Sequence, residues 1–181
     1  PATPWGELVA ADAALDVGDL PLASKILSRR QGDALRPVHY LRLARLYRYQ
    51  KKADEALKAA AAAREGTTTS ALLVESLYAF LNKDDAAGAR NLVAKHPTVL
   101  GPLTAWLGVL VDVANKQKAQ AAARTAKLDL PPAETPLTLR ILVARALVAA
   151  EDKRARPYVL ALAKQVPKHP DLIEAAHELN E

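Results

Sequence analysis

The residues that could carry catalytic or metal chemistry are few and widely separated in this chain. Glu174 and His177 have the spacing of half a carboxylate-bridged di-iron site. A working site of that kind needs a second such pair and two further glutamates, and the sequence offers no second pair. We therefore interpret these two residues as a surface polar pair rather than as metal ligands.

The other histidines also lack catalytic neighbours. His96 and His169 each precede a proline at a predicted helix end, which is typical of capping or loop positions. His39 lies near the start of a predicted helix and has no acid or nucleophile at a useful spacing. Asp84 and Asp85 are typical of a helix N-terminus, where an aspartate accepts hydrogen bonds from free N–H groups.

Known enzyme motifs are missing as well: there is no Gly-rich phosphate loop, no His-Glu-x2-His and no Gly-x-Ser-x-Gly. We therefore expect no enzyme activity, no cofactor and no metal. The 181 residues are half hydrophobic and contain no cysteine. No apolar run approaches the roughly 20 residues that a transmembrane helix needs. Richness in Ala, Arg, Leu and Pro indicates a bacterial source, and the sequence leaves the cytoplasm and the periplasm equally open.

Alanine recurs at intervals of 33 residues (56 − 23, 89 − 56 and onward), each time near the start of the second helix of a predicted pair. The five positions are Ala23, Ala56, Ala89, Ala122 and Ala155. Turn-forming residues stand between the paired helices at Gly18-Asp19, Gln50-Lys51, Asn82-Lys83-Asp84 and Asn115-Lys116. A fixed period of this size predicts a solenoid of stacked helix pairs. Pro157, two residues after the last alanine, predicts that the fifth second helix starts late or kinks.

The run Tyr40-x2-Leu43-Ala44-x2-Tyr47, followed by Ala56, resembles the tetratricopeptide repeat. The signature of that family is large-x2-Leu-small-x2-Tyr and then Ala. Trp106 and Pro167 also match it, whereas the first repeat has Glu7 where a large apolar residue belongs. The resemblance implies an all-α, right-handed superhelical solenoid of antiparallel helix pairs. It implies one domain over residues 1–181, with repeats at 4–32, 37–66, 70–97, 102–130 and 136–167 and a capping helix at 170–180.

Positive charge is concentrated in one part of the chain. Between Lys25 and Arg64 there are eleven Lys or Arg and three acids, a local charge of +8, although the whole chain carries only +5. Such a block favours an acidic partner, which could be a protein, a nucleic acid or a lipid headgroup. A solvated face selected for solubility is the alternative interpretation.

Three of these cations, Arg42, Arg45 and Arg48, follow one side of a predicted helix. Like charges at this spacing repel by roughly 0.2–0.5 kcal/mol per pair. Compensation comes either from Asp12 and Asp16 on the preceding helix or from an acidic partner. The family resemblance implies a concave groove lined by the first helix of each pair. Together with the three arginines, which we call the arginine ladder, this resemblance predicts a partner-binding groove. The groove is formed by Arg42, Arg45, Arg48, Tyr49, Tyr78, Asn82, Leu107, Val111, Asn115 and Arg140.

The function expected from the sequence is a noncatalytic scaffold or adaptor that binds a peptide segment or an acidic protein surface in this groove. No small-molecule substrate is expected. One alternative is a nonspecific nucleic-acid-binding helical repeat, since the pI is about 9.5. RNA-reading repeats carry a base-selecting polar pair in every unit, and the groove positions here vary from repeat to repeat. A regulatory domain of a larger enzyme is the third possibility. The partner's identity and the oligomeric state stay open.

Overall fold

The computed structural model describes residues 3–29, 35–64 and 68–180. Within these ranges the secondary structure is helical and contains no β-strand, which confirms the all-α prediction for this part of the chain. Residues 32 and 66, the predicted ends of the first two repeats, lie outside it. The helices are α1 (Pro4–Asp16), α2 (Leu20–Leu27), α3 (Arg36–Tyr49), α4 (Ala53–Arg64), α5 (Ser70–Asn82), α6 (Ala86–Lys95), α7 (Pro97–Leu100), α8 (Leu103–Ala114), α9 (Lys118–Thr125), α10 (Leu137–Ala149), α11 (Ala155–Ala163) and α12 (Pro170–Glu178).

The chain forms two compact units, residues 1–99 and residues 100–181. In the N-terminal unit α1 packs against α2, α3 against α4, and α5 against α6, while α3 also contacts α1, α2 and α5. In the C-terminal unit α8 packs against α9 and α10, and α10, α11 and α12 contact one another. The two helices of each of the five pairs are therefore both consecutive in the sequence and packed against each other.

The same turn joins the two helices of each of five pairs. One residue in each turn has a positive φ, and these residues are Gly18, Lys51, Asp84, Lys116 and Glu151, with φ of 71°, 59°, 56°, 61° and 55°. The N–H of the next residue donates to the carbonyl five residues earlier, for example from Asp19 to Ala14 at 2.8 Å and from Gln117 to Asp112 at 2.8 Å. This is the Schellman arrangement, which satisfies the last carbonyls of the first helix. The turns predicted at the breaker residues are confirmed.

A buried alanine follows each turn, where the second helix approaches the first. Ala23, Ala56 and Ala89 stand five residues after the positive-φ residue and are buried. In the fourth pair the alanine at this position is Ala121, which is 0% exposed, whereas Ala122 is exposed. The predicted period of 33 is therefore wrong by one residue there. Alanine fills three consecutive positions from 121 to 123, so the sequence alone does not show which of them faces α8.

The fifth pair differs from the others at the start of its second helix. Ala155 is buried but is the first residue of α11, whereas Ala23 is the fourth residue of α2. The late start confirms the expectation based on Pro157. Proline is tolerated in the first turn of a helix because the N–H that it lacks would have no partner within the helix there. The preceding turn is held by Arg154, whose guanidinium donates to the carbonyl oxygens of Thr125 at 2.7 Å and Leu128 at 2.9 Å.

Leucine substitutions at the two neighbouring alanines of α9 test the corrected register. We expect Ala121→Leu to lower the free energy of unfolding by about 1–3 kcal/mol, because the larger side chain overpacks the contact with α8. Ala122→Leu should change it by less than about 0.5 kcal/mol, because the site is exposed and leucine is a good helix former. Urea denaturation followed by circular dichroism measures both. Equal losses, or a larger loss at residue 122, would contradict the register.

Acid titration tests the turn between α10 and α11. Hydrogen bonds from Arg154 outweigh burial and lower the pKa of Asp152 to about 2 from 3.8. A lowered carboxyl pKa in the folded state stabilises the fold above the unfolded pKa, and this contribution is lost as pH falls from about 4 to 2. We expect Asp152→Asn to remove up to about 2 kcal/mol of the acid-dependent loss of stability. Denaturation curves at several pH values measure it, and identical pH profiles would contradict the assignment.

Candidate functional site

The predicted arginine ladder lies on α3, and its first two members pair with acids of α1. Arg42 Nη2 lies 2.5 Å from Asp12 Oδ2, and Arg42 Nε donates to the carbonyl oxygen of Leu8 at 3.2 Å. Arg45 Nη2 lies 2.6 Å from Asp16 Oδ1. Both arginine side chains are largely buried, and they join α3 to the helix pair that precedes it.

The third arginine, Arg48, pairs with an acid of α5 and not with one of α1. Arg48 Nε lies 2.6 Å from Glu75 Oε2, and the two side chains are only 6% and 11% exposed. The guanidinium carbon of Arg48 also lies 4.3 Å from the ring centroid of Tyr49 and 4.5 Å from that of Tyr78. Cation–π contacts of this kind strengthen when water is excluded. Arg48 is therefore held by one carboxylate and two aromatic rings in the interior of the N-terminal unit.

These contacts decide between the two explanations for the ladder. Burial opposes the charge of Arg45, but Tyr49, Glu75 and Asp16 outweigh it, so the pKa of Arg45 lies above its ordinary value. The hydroxyl of Tyr49 also accepts a hydrogen bond from Arg45 Nε at 3.1 Å. Acids on the neighbouring helices therefore compensate the ladder inside the fold.

Glu75 is the member of this network that the sequence analysis missed. It stands fourteen residues before Ala89, and Arg42 stands at the same distance before Ala56 (89 − 75 and 56 − 42). The signal was thus a charged residue at the same position in two successive repeats. Neither residue belongs to the predicted tetratricopeptide signature, so the pattern gave no reason to connect Glu75 with Arg48.

The other groove residues of the N-terminal unit have different environments. Tyr78 is buried against Arg48, and Tyr49 is half-buried between Arg45 and Arg48. Asn82 is exposed as the last residue of α5. Four of the six predicted residues of this unit, Arg45, Arg48, Tyr49 and Tyr78, therefore form one connected network, and Arg42 pairs separately with Asp12.

Two of the groove residues predicted in the C-terminal unit pack inside that unit. Leu107 and Val111 are buried in the core. Their assignment to the groove followed from Ala122 as the reference; counted from Ala121, Val111 stands ten residues earlier, at the core position that Leu46 occupies relative to Ala56 (121 − 111 and 56 − 46). Burial gives both residues a packing role, and the corrected register accounts for that of Val111.

Two polar groove residues of this unit also hydrogen-bond within it. The amide of Asn115 donates to the carbonyl of Val111 at 2.7 Å and caps α8. Arg140 donates to the carbonyl of Thr135 at 3.0 Å and to Gln165 Oε1 at 3.2 Å. Both side chains stabilise their own unit in this conformation.

Three of the residues considered for chemistry, Glu174, His96 and His169, have structural surroundings. Glu174 lies 3.5 Å from the guanidinium of Arg145, while His96 ends α6 and His169 precedes α12. Across residues 3–29, 35–64 and 68–180, no group of three or more His, Cys, Asp or Glu side chains could hold a metal ion. In the same ranges, every helix is too short or too polar to cross a bilayer.

Substitution of Arg48 tests the buried ion pair. We expect Arg48→Met to lower the free energy of unfolding by about 3–5 kcal/mol, because it leaves Glu75 buried without its partner. The double variant Arg48→Met with Glu75→Met should recover most of this loss, since two apolar side chains of similar size remove both charges. Equilibrium denaturation measures the three proteins.

Arg45→Met is the matched control, because its partner Asp16 has a side chain that is 44% exposed and can be solvated when the pair is broken. We expect this variant to lose about 1 kcal/mol or less. Equal losses for Arg45→Met and Arg48→Met, or no recovery in the double variant, would contradict the distinction between the two pairs.

Comparison of the chain with protein-family models, with curated proteins and with solved structures finds no significant match. The resemblance to the tetratricopeptide repeat therefore stays a prediction that rests on the residues quoted above.

Proposed function

We propose that this chain is a noncatalytic interaction scaffold, a right-handed superhelical solenoid of the tetratricopeptide type that binds another protein. The supporting observation is the recurrence of one local unit, a positive-φ turn followed by a buried alanine, in five successive helix pairs. Repeats that pack mainly against their neighbours build extended surfaces instead of enclosed catalytic sites. Such surfaces are suited to binding an extended segment of a partner.

The charge of the N-terminal unit favours an acidic partner but limits the number of cations available to it. Of the eleven Lys and Arg between residues 25 and 64, at least four pair with acids outside that stretch, which are Glu7, Asp12, Asp16 and Glu75. Asp54, one of the three acids of this stretch, pairs in turn with Lys83 outside it. Seven cations and two acids of the stretch are then left, so the local excess falls from +8 to about +5. Arg30 and Asp33 of this stretch lie outside the described residues. Recognition of a short acidic segment fits this moderate excess better than binding of a long polyanion.

Selection from a random peptide library tests the proposal. We expect the immobilised protein to enrich peptides that contain Asp or Glu beside large apolar residues. The enriched peptides should bind the purified chain in solution, measured by fluorescence anisotropy, and their charge-neutral amide versions should bind more weakly. A heat-denatured sample is the control for nonspecific capture. Failure to enrich any sequence above that control would contradict the proposal.

Nucleic acids provide the second arm of this test. Nonspecific binding to phosphates releases counterions, so its affinity falls steeply with salt and depends little on sequence. Because several arginines are neutralised inside the fold, we expect single-stranded RNA and duplex DNA to bind weakly at low salt and not measurably at physiological salt. Submicromolar affinity for either at physiological salt would favour the nucleic-acid function over the protein-binding one.

A further inference from the structure

A cleft between α2 and α3 is distinct from the arginine ladder. It has a volume of about 540 Å³, within the range of pockets that hold small ligands or single side chains of a partner. Leu27, Leu43 and Leu46 supply apolar side chains to its lining. Tyr40 and Tyr47 add two aromatic rings from another face of α3 than the one that bears Arg42 and Arg45.

Polar groups converge on the same space. Ser24 and Ser28 of α2 line it, and so do Arg29 and Arg36 on the two sides of the connection. The hydroxyl of Ser28 donates to the carbonyl of Lys25 at 2.9 Å. No acid lines the cleft among the described residues. Two arginines beside apolar and aromatic walls are suited to an organic anion, because arginine donates two parallel hydrogen bonds to a carboxylate.

A buried nitrogen atom points to a ligand independently of the arginines. His39 lines the cleft and is only 7% exposed, yet its Nδ1 has no hydrogen-bond partner among the described residues. Buried polar atoms are nearly always paired. Burial and then the charge of Arg42 lower the pKa of His39, so the ring is neutral at pH 7. In the tautomer with its proton on Nδ1, the ring can donate to a carboxylate oxygen.

The start of α3 adds to the attraction for an anion. Thr3, Asp19, Thr69 and Asp85 cap α1, α2, α5 and α6 with side-chain oxygens. Among the described residues α3, like α8 to α12, has no side-chain cap, and its first turn contains no acid. Free N–H groups at a helix N-terminus favour negative charge. Arg36 and His39 belong to this first turn, so the helix terminus and the polar side chains act on the same region.

Glu7, the residue that departs from the repeat signature, is connected to the cleft. Its Oε1 lies 2.5 Å from Arg29 Nη1, and the side chain of Arg29 is 59% exposed. The second and third repeats place large apolar residues at the equivalent position, namely Tyr40 and Leu73 (23 − 7, 56 − 40 and 89 − 73). The carboxylate of Glu7 thus occupies a donor that an incoming carboxylate could use.

We infer that the cleft between α2 and α3 binds a carboxylate attached to an aromatic or aliphatic group. Arg29, Arg36 and His39 hold the carboxylate, and the apolar floor of the cleft, formed by its leucine side chains, contacts the attached group. The carboxylate would belong to an acidic or C-terminal residue of the bound partner segment. In this respect the inference rests on the proposed function. Glu7 then competes with that residue for Arg29.

N-acetylphenylalanine and N-acetylphenylalaninamide are matched probes that differ only in the carboxylate. In NMR titrations of the ¹⁵N-labelled chain, we expect the acid to shift backbone amides of residues 24–29 and 36–47 and to bind at least about tenfold more tightly than the amide. Inorganic phosphate should bind more weakly than the acid because it cannot use the apolar floor. Equal binding of acid and amide, or phosphate binding as tight as that of the acid, would overturn the inference.

Two substitutions with opposite effects separate binding from misfolding. Arg36→Gln should weaken binding of N-acetylphenylalanine about tenfold, since a charged hydrogen bond is lost. Glu7→Gln should strengthen it, because Arg29 no longer has a competing carboxylate, and a gain of affinity cannot result from unfolding. Arg90→Gln, at an exposed site of α6, is the control and should leave binding unchanged. Unchanged or weaker binding by Glu7→Gln would overturn the competition.

The outcomes distinguish this inference from the proposed function. If selected peptides bind but shift amides outside α2 and α3, the cleft is not their site and the scaffold function stands. If N-acetylphenylalanine fills the cleft but no peptide binds, the cleft stands as a small-carboxylate site and the scaffold function fails.

Discussion

A buried guanidinium needs an anionic partner, because an unpaired charge in the interior costs several kcal/mol. In the N-terminal unit this requirement is met through α3: Arg42 and Arg45 pair with aspartates of α1, and Arg48 pairs with Glu75 of α5. The helix therefore links the pairs on both sides of it by charge as well as by packing. The buried alanines lie where the two helices of a pair approach each other, and the arginines join α3 to α1 and α5.

This internal pairing changes the functional meaning of a basic sequence. A run of arginines at helical spacing resembles a binding surface when only the charge is counted. Here the ladder is paired with acids that lie far away in the sequence, whereas the arginines that line the cleft, Arg29 and Arg36, lie at the end of α2 and at the start of α3. The cleft next to His39 combines exposed arginine, hydroxyl groups and an apolar floor, so it has the chemistry that the ladder lacks. In our proposal, recognition and stability therefore involve different faces of α3.

The sequence predicted the helix pairs, four of the five turns and four of the five buried alanines, because helical periodicity and turn residues act locally. It failed at Ala121, since three consecutive alanines hide which one faces the neighbouring helix. It proposed Asp12 and Asp16 as partners of the ladder but missed Glu75, because that contact depends on how two helix pairs stack. The cleft was also missed: Glu7 and His39 were noticed separately, and only the packing of α2 on α3 brings their surroundings together.

The central claim is that the ladder is an internal structural element. Hydrogen exchange of arginine Nε–H groups, measured by NMR at neutral pH and assigned with single Arg→Lys variants, tests it most directly. Arg42 and Arg48 donate through Nε to Leu8 and Glu75, so their Nε–H groups should exchange at least about tenfold more slowly than that of the exposed Arg156. Exchange of Arg42 and Arg48 as fast as that of Arg156 would show that these guanidinium groups are solvated, and the ladder would then be available to a partner.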